Sequence, residues 1–396
     1  GNNGTPYNGV TFSASARVGS HAGSFDGVND YVTVKSSAII ANSSQSTIEA
    51  WVNPASFGSV RRIYSENSSG GAVFVLSIES AGGAALSIWR TDISGNWVTV
   101  TSDTILQLNS WSHVVGTLDA GGMKIYVNGV LVGTNTTNNL PSNGSITEVV
   151  FGRLNNGGGV EYFSGLLDEA AVYSRALTAA EISKSYNAGL GRVALWHMNG
   201  DWTDATGNGN HGTAFNGAAF STNARVGSHA GSFDGVDDYA SGNTAGLPLA
   251  SSPRTISAWV KAGSGTQNRA IIRYGAGSSS DFQLFVDASN RAAAGNGNGS
   301  ITGTSSLSDG RWHYVVGVYE GSGTNTARIY VDGVLQNSGT ITTLDTANGS
   351  FSIGAFSGGG GYFNGLIDEV AVYNRVHTVD EITKSYNDGL GRIGLW

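Results

Sequence analysis

The sequence predicts an all-β protein built as two tandem sandwiches of the jelly-roll type, each with one short helix near its end. Three observations carry that prediction. The stretch Ala16–Val28 returns letter for letter as Ala224–Val236, and later landmarks return in the same order. Glycine contributes 59 of 396 residues while charged residues make up only 13%, a mix that suits short strands joined by tight turns. Apolar residues alternate in short runs between Asn-Gly and Asp-Gly pairs, as half-buried strands do. A period of about 200 residues is too long for a solenoid repeat, so each copy is a domain with its own core. The expected boundaries are 1–190, 191–391 and a short lead-in strand at 392–396.

Within one copy, Ser24 to Val34 reads as strand, turn, strand around Asp26-Gly27. Thr47 to Val52 alternates, with Ile48, Ala50 and Val52 on one side and Trp51 on the other. Ala72 to Ile78 and the run around Leu86-Ser87-Ile88-Trp89 are further strands. Trp111 to Leu118 and Lys124 to Val132 pair, the second running through Asn128-Gly129, which becomes Asp332-Gly333 in the second copy. Thr178-Ala179-Ala180-Glu181 has the spacing of a helical capping box, and Gly189 offers a stop; Thr378, Glu381 and Gly389 repeat the pattern.

Composition excludes several function classes. There is no cysteine, hence no disulfide and no thiolate metal site. The net charge of −8 opposes nucleic-acid binding, which selects basic surfaces, and agrees with cation binding. No apolar run reaches membrane-spanning length. The Gly/Ser/Thr/Asn-rich, weakly charged make-up points to an extracellular or cell-surface setting.

Several motifs belong together: Asp204-Ala205-Thr206-Gly207-Asn208-Gly209-Asn210-His211-Gly212, Ser232 to Tyr239, Ile256-Ser257-Ala258-Trp259-Val260, Arg311-Trp312-His313, Gly365 to Val370 and Thr378 to Tyr386. Taken as a set they resemble the laminin-G-like family of concanavalin A-like sandwiches found in bacterial surface and secreted proteins. The resemblance covers nearly all of both halves. It implies one convex and one concave antiparallel sheet. It implies no single activity, because members serve as carbohydrate-binding, adhesive or spacer modules.

The resemblance also implies a structural calcium ion held between the first turn, the Phe-Asp-Gly turn and the last core strand. In the second copy the matching residues are Asp204, Asn208, Asp234, Gly235 and Asp368. In the first they are Asp26, Gly27 and Asp168, without counterparts of Asp204 and Asn208. Asp368 lies two residues from Leu366 and from Val370, so plain alternation turns its carboxylate inward, where it needs hydrogen bonds or a counter-charge. The alternative is that Asp368 caps backbone N–H groups where a loop crosses.

Relatives hold glycans on the concave face and its rim. A sugar site needs an exposed flat aromatic beside amides or hydroxyls. Trp89 and Trp97, with Arg90, Asp92 and Asn96, offer that in the first copy; the second has Ala292 to Asn298 instead. The competing reading is that both tryptophans cover a long hairpin. Trp51, Trp111, Trp259 and Trp312 repeat and read as core or inter-sheet packing.

Catalytic signatures are missing from the sequence. There is no Glu-x-Asp-x-Glu run, and the neighbours Asp168 and Glu169 point to opposite faces of a regular strand. There is no Gly-x-Ser-x-Gly elbow and no His-Glu-x-x-His helix. A glycoside hydrolase is therefore the least favoured class, and adhesion or surface structure without catalysis is expected. One further expectation concerns Arg392-Ile393-Gly394-Leu395-Trp396, which repeats the lead-in Arg192-Val193-Ala194-Leu195-Trp196. Either the chain is a slice of a longer array, or the strand carrying Ile393, Leu395 and Trp396 completes the first sandwich of a neighbouring subunit, head to tail.

Overall fold

The computed structural model describes residues 4–34, 43–68, 71–90, 96–137, 146–155, 160–277, 279–356 and 360–391. The chain divides into two units, Gly1–Leu190 and Gly191–Trp396. Each is a sandwich of two antiparallel sheets.

In the first unit the far sheet runs in the order Thr5–Tyr7, Tyr31–Val34, Ile146–Phe151, Arg61–Ser68, Gly71–Ile78, Gly83–Arg90, Asn96–Ile105. The helix-side sheet runs Val130–Asn135, Gly122–Val127, Ser112–Asp119, Ser46–Pro54, Ser164–Tyr173, Ala22–Asp26, Thr11–Ser13. The second unit repeats both. Its far sheet is Thr213–Phe215, Tyr239–Asn243, Ser350–Ile353, Arg269–Gly275, Asp281–Val286, Arg291–Asn296, Gly299–Ser306. Its helix-side sheet is Val334–Thr340, Thr326–Val331, His313–Tyr319, Arg254–Ala262, Asn364–Tyr373, Ala230–Asp234, Ala219–Ser221, with Arg192–Trp196 paired to the last half of Asn364–Tyr373.

Alternation sets the core. Ile48, Ala50 and Val52 face the far sheet's Leu76, Leu86 and Ile88. Ile256, Ala258 and Val260 do the same against Leu284 and Ala294. The inner faces of two sheets interdigitate in this way in β-sandwiches. The hairpins turn where Asn128 and Gly129 (φ 53° and 80°) and Asp332 and Gly333 (φ 54° and 80°) take left-handed conformations, as tight hairpins with right-twisted strands require.

Helices α1 (Ala179–Gly189) and α2 (Val379–Gly389) each begin with a complete capping box, Thr178 with Glu181 and Thr378 with Glu381. Thr47 Oγ1 ties the lead into α1 to the sheet, donating to Arg175 O and accepting from Leu177 N, each at 2.9 Å. Thr255 does the same for α2 through Arg375 O and His377 N. Two sequence expectations change here. Gly189 does not end α1 by a left-handed turn; that role falls to Gly191 (φ 67°). Gly189 is small because the helix lies on Trp51, and a Cβ there would sit 2.3 Å from the indole nitrogen. Trp51 and Trp259, in turn, do not pack between the sheets. Each lies on the outer face beneath its helix, 5.6 Å from the ring of Tyr186 or Tyr386 and with the guanidinium of Arg17 or Arg225 on it. Such flat aromatic contacts add to simple area burial.

The last long strand of each unit is not regular. Glu169 (φ 46°) and Glu369 (φ 50°) are left-handed, and the register against the neighbouring strand shifts there. This β-bulge reverses the facing of everything after it. Ile367, Val370 and Val372 all reach the core, so Asp368, opposite Trp259, faces outward. Plain alternation placed it inward, and the bulge is why that reading fails.

The units differ at one edge. Val370 to Tyr373 are buried, with Arg192–Trp196 alongside. In the first unit Ala170 is exposed and Ala171 to Tyr173 are half-buried. Among the described residues, no strand occupies that side of them. Phe220 lies against Trp202 at 4.7 Å, whereas its counterpart Phe12 is 74% exposed.

Candidate functional site

Outward-facing residues of the second unit's far sheet form a cleft of about 540 Å³, lined by Asn268, Gln283, Phe285, Asn296 to Ser300 and Phe356. Its floor follows from strand parity. Phe282 and Leu284 enter the core, so Gln283 and Phe285 stand on the opposite side. The register sets Gln283 across from Gly295 and Phe285 across from Ala293, small residues that leave the space above them open. Gly295 is obligatory: at φ 158°, a Cβ would meet Gly299 O at 2.2 Å. The hairpin Asn296–Gly299 closes one end, with Asn298 N donating to Asn296 Oδ1 at 3.0 Å.

The polar groups are held in place from behind. Gln283 Nε2 donates to both oxygens of Asp281, at 3.0 and 2.8 Å, which turns its carbonyl oxygen away from that carboxylate. Asp281 pairs with the buried Arg273 at 3.4 Å. Burial raises the Asp281 pKa and lowers that of Arg273. Asn296 Nδ2 donates to Ser279 O at 3.3 Å, and Asn268 Oδ1 accepts from Ala288 N at 3.0 Å. Phe285 and Phe356 meet edge to face, centroids 5.8 Å apart. The cleft thus offers neutral amides, a hydroxyl and phenyl rings. None of its lining residues is a carboxylate, so it presents no acid pair to flank a bond. The search for tryptophan in the sequence missed this stretch. The alternating Gly-Asn-Gly-Asn-Gly of 295–299 was the available signal.

In the first unit, Trp89 and Trp97 are directly opposed across the last hairpin of the far sheet, with Arg90 opposite Asn96. Trp97 is 40% exposed. Asp92 and the side chains of Trp89, Arg90 and Asn96 lie outside the described residues.

The expected calcium ligands do not converge on one point. Asp204 is enclosed, and its two oxygens already accept five hydrogen bonds, from Leu195 N, Thr206 N, Thr206 Oγ1, Asn210 N and Asn210 Nδ2, at 2.7 to 3.1 Å. Asn208 Nδ2 donates to Val193 O at 3.1 Å. These bonds fasten the loop behind the opening strand. Asp234 pairs with Asn364, four residues from Asp368, or about 13 Å along a strand. Its Oδ1 accepts from Val236 N at 2.7 Å in the turn where Gly235 (φ 81°) sits. Asp26 and Gly27 (φ 78°) make the same turn in the first unit.

Asp368 Oδ2 accepts from Arg225 N and Val226 N at 2.8 and 2.9 Å, and Asp168 does so from Arg17 N and Val18 N at 2.7 and 2.9 Å. This is the loop-crossing arrangement. Asp368 Oδ1 is buried without a partner, and burial pushes its carboxyl up to about 6 against the pull of those backbone donors. Calcium asks for six to eight oxygens, whereas the Asp204 oxygens are taken by protein donors and Asp234 is paired four residues along from Asp368. The acids that do gather are Asp234, Asp237 and Asp238, with carboxylate oxygens within 4.8 Å of one another; the first unit has Asn29 in place of Asp237.

A family model described as the concanavalin A-like lectin/glucanases superfamily matches residues 26–183 and 234–383. No curated protein sequence matches at a significant level. Among solved structures, domain 4 of AbnA, a GH43 extracellular arabinanase from Geobacillus stearothermophilus in complex with arabinotriose, is 20% identical with a TM-score of 0.41, over 49% of this chain and 97% of that one. Domains LG4-5 of the mouse laminin alpha1 chain are 12% identical with a TM-score of 0.30, over 85% and 86%. The CBM40 of the Ruminococcus gnavus IT-sialidase is 15% identical with a TM-score of 0.31, over 35% and 84%.

Proposed function

The chain belongs to the concanavalin A-like lectin/glucanases superfamily, in tandem laminin-G-like form, and from that premise we propose that it is an extracellular carbohydrate-binding protein that holds its ligand without cleaving it. The observation that carries this reading is the cleft on the second unit's far sheet. Asn268, Asn296, Asn298 and Gln283 supply amides, and Phe285 and Phe356 supply apolar faces, with no charged residue in the lining. That chemistry suits a neutral saccharide, whose hydroxyls both donate and accept while its ring C–H faces pack on aromatics. The first unit's Trp89 and Trp97 stay the second candidate; of that set the described side chain is Trp97, 40% exposed. Adhesion or surface display is the role such binding would serve.

The test is a neutral glycan array on the full chain, followed by calorimetry on a hit. Phe356→Ala and Asn298→Ala are each expected to weaken binding on the order of tenfold, the equivalent of about 1.4 kcal/mol, with folding unchanged by circular dichroism. Retention of full affinity in both variants, or no neutral glycan retained at all, would overturn the assignment.

A further inference from the structure

We propose that a cleft on the outer face of the first unit's helix-side sheet is a second binding site, and that its ligand is a sugar carrying a protonated amino group. It belongs to the other unit and to the other sheet from the neutral-saccharide cleft, and does not rest on that reading.

Strand parity builds the cleft. Phe25, Val52 and Leu167 enter the core, so Ser24, Asp26, Asn53, Ser164 and Leu166 stand on the outer face. The register sets Asp26 across from Ser164, Ser24 across from Leu166, and Asn53 across from Leu166 on its other side. Ser15 and Asn109 line the cleft from the flanking loops. Ala55 N donates to Ser164 O at 2.9 Å and Asn109 N to Pro54 O at 2.8 Å, which fastens one wall to the sheet. The enclosed space is about 460 Å³, within the range of small-ligand sites.

Its chemistry selects the ligand. Among the described residues, no hydrogen bond engages the side chains of Ser15, Ser24, Asn53, Asn109 or Ser164. The cleft therefore offers three hydroxyls and two amides, each able to donate and to accept. Asp26 is the one charged residue in the lining. Its Oδ1 accepts from Val28 N and Asn29 N at 2.7 and 3.2 Å. The Val28 donor holds its carboxyl below the ordinary value, so it is ionised at neutral pH. Behind it, Asp26 N donates to Oδ2 of the buried Asp30 at 2.9 Å, and Asp30 Oδ1 has no partner. Among the described residues, neither carboxyl group has a basic partner. A cation answers that charge, and a polyol answers the hydroxyls and amides around it. A lysine or arginine side chain would bring its charge on an apolar stem and leave most of those groups unmet.

The second unit is built differently at the same place. It keeps Ser232, Asp234 and Leu366, but the same register carries Lys261 for Asn53 and Asn364 for Ser164. Gly310, left-handed like Asn109 (φ 80° and 55°), stands three residues before His313 as Asn109 stands three before Ser112, and it has no amide to offer. Lys261 puts a cation on that face already, so the amino-sugar site is particular to the first unit.

The test is calorimetry on the full chain with a glucosamine trisaccharide, its N-acetylated form, and α-N-acetyl-lysine amide. The glucosamine form is expected to bind. Binding should be unchanged in Phe356→Ala, the variant that weakens the neutral-saccharide cleft, so either reading can fail alone. In that Phe356→Ala chain, N-acetylation of the sugar, which removes its charge, should weaken binding about tenfold or more, as loss of a hydrogen bond to a charged group does. Asp26→Asn keeps an oxygen acceptor for Val28 N, and Asn53→Lys installs the residue the second unit carries in the same register. Each should lower affinity for the glucosamine form about tenfold, with folding unchanged by circular dichroism. No binding of the glucosamine form, equal affinity for the N-acetylated form in the Phe356→Ala chain, tighter binding of the lysine amide, or full affinity in either folded variant would each overturn the proposal.

Discussion

Trp196 and Phe351 meet with ring centroids 4.5 Å apart, joining the opening strand of the second unit to its far sheet. The indole nitrogen donates to Asn210 O, and Asn210 in turn holds Asp204 through both its backbone and its side chain. One side chain therefore fixes a strand, the core and the loop behind the strand.

Trp196→Ala should accordingly destabilise the second unit by about 3–5 kcal/mol, the range for emptying a large aromatic site in a core. Calorimetry of the full chain should show the second unit's transition falling while the first unit's stays. A shift in both would mean that the units do not melt separately.

Gly189→Ala and Gly389→Ala should each lift a helix off its tryptophan, since the added Cβ would lie 2.3 or 2.5 Å from the indole nitrogen. The expected cost is about 1–3 kcal/mol, typical of overpacking. Near-ultraviolet circular dichroism, which follows the setting of Trp51 and Trp259, should change with it. Unaltered spectra and stability would contradict the close approach.

Two buried carboxyls, one in each unit, should respond oppositely to acid. Asp368 titrates near 6 in the folded unit because of burial, above its ordinary 3.8. A raised folded value gives stability that is present below about 3.8 and lost as pH rises through about 6. Glu49 in the first unit is the reverse. Burial pushes it up, but hydrogen bonds from His113 and Tyr173 more than offset that and leave it lowered. Its contribution is present above about 4.5 and lost as pH falls through the depressed value. Melting from about pH 7 to about pH 3 should show the Asp368 contribution to the second unit growing in the upper part of that range and the Glu49 contribution to the first shrinking in the lower part, each read as the difference from its substituted variant. Asp368→Asn should flatten the former and Glu49→Gln the latter; slopes that survive both substitutions would refute the assignment.

Chelation should leave the second unit's transition in place, because Asp204 is saturated by protein donors and Asp234 lies on the neighbouring strand opposite Asn364, about 13 Å along from Asp368. A drop of several degrees on adding EDTA, reversed by calcium, would restore a structural ion.

Strand and helix positions were legible because they depend on local signals. The Asn128-Gly129 turn, the Thr178–Glu181 capping box and the alternation of Ile48, Ala50 and Val52 each act within a few residues. What escaped depends on residues distant in sequence. The bulge at Glu369 is written by no glycine or proline, so alternation carried Asp368 to the wrong face. Trp51 and Trp259 looked like interior residues because burial under a helix and burial between sheets leave the same alternating pattern. The cleft needed Asn268 and Phe356 brought beside Gln283 and Asn298, and its appeal lay in amides, which compositional reading treats as turn material.

The left-handed Glu369 has one more implication, for anyone who redesigns this scaffold. It splits the strand Asn364–Tyr373 into two rulers with opposite markings, the first reading odd numbers as interior at Ile367 and the second reading even numbers at Val370 and Val372. Substitutions planned by counting across Asp368 and Glu369 would put charge in the hydrocarbon and grease in the water, so each half has to be numbered from its own end.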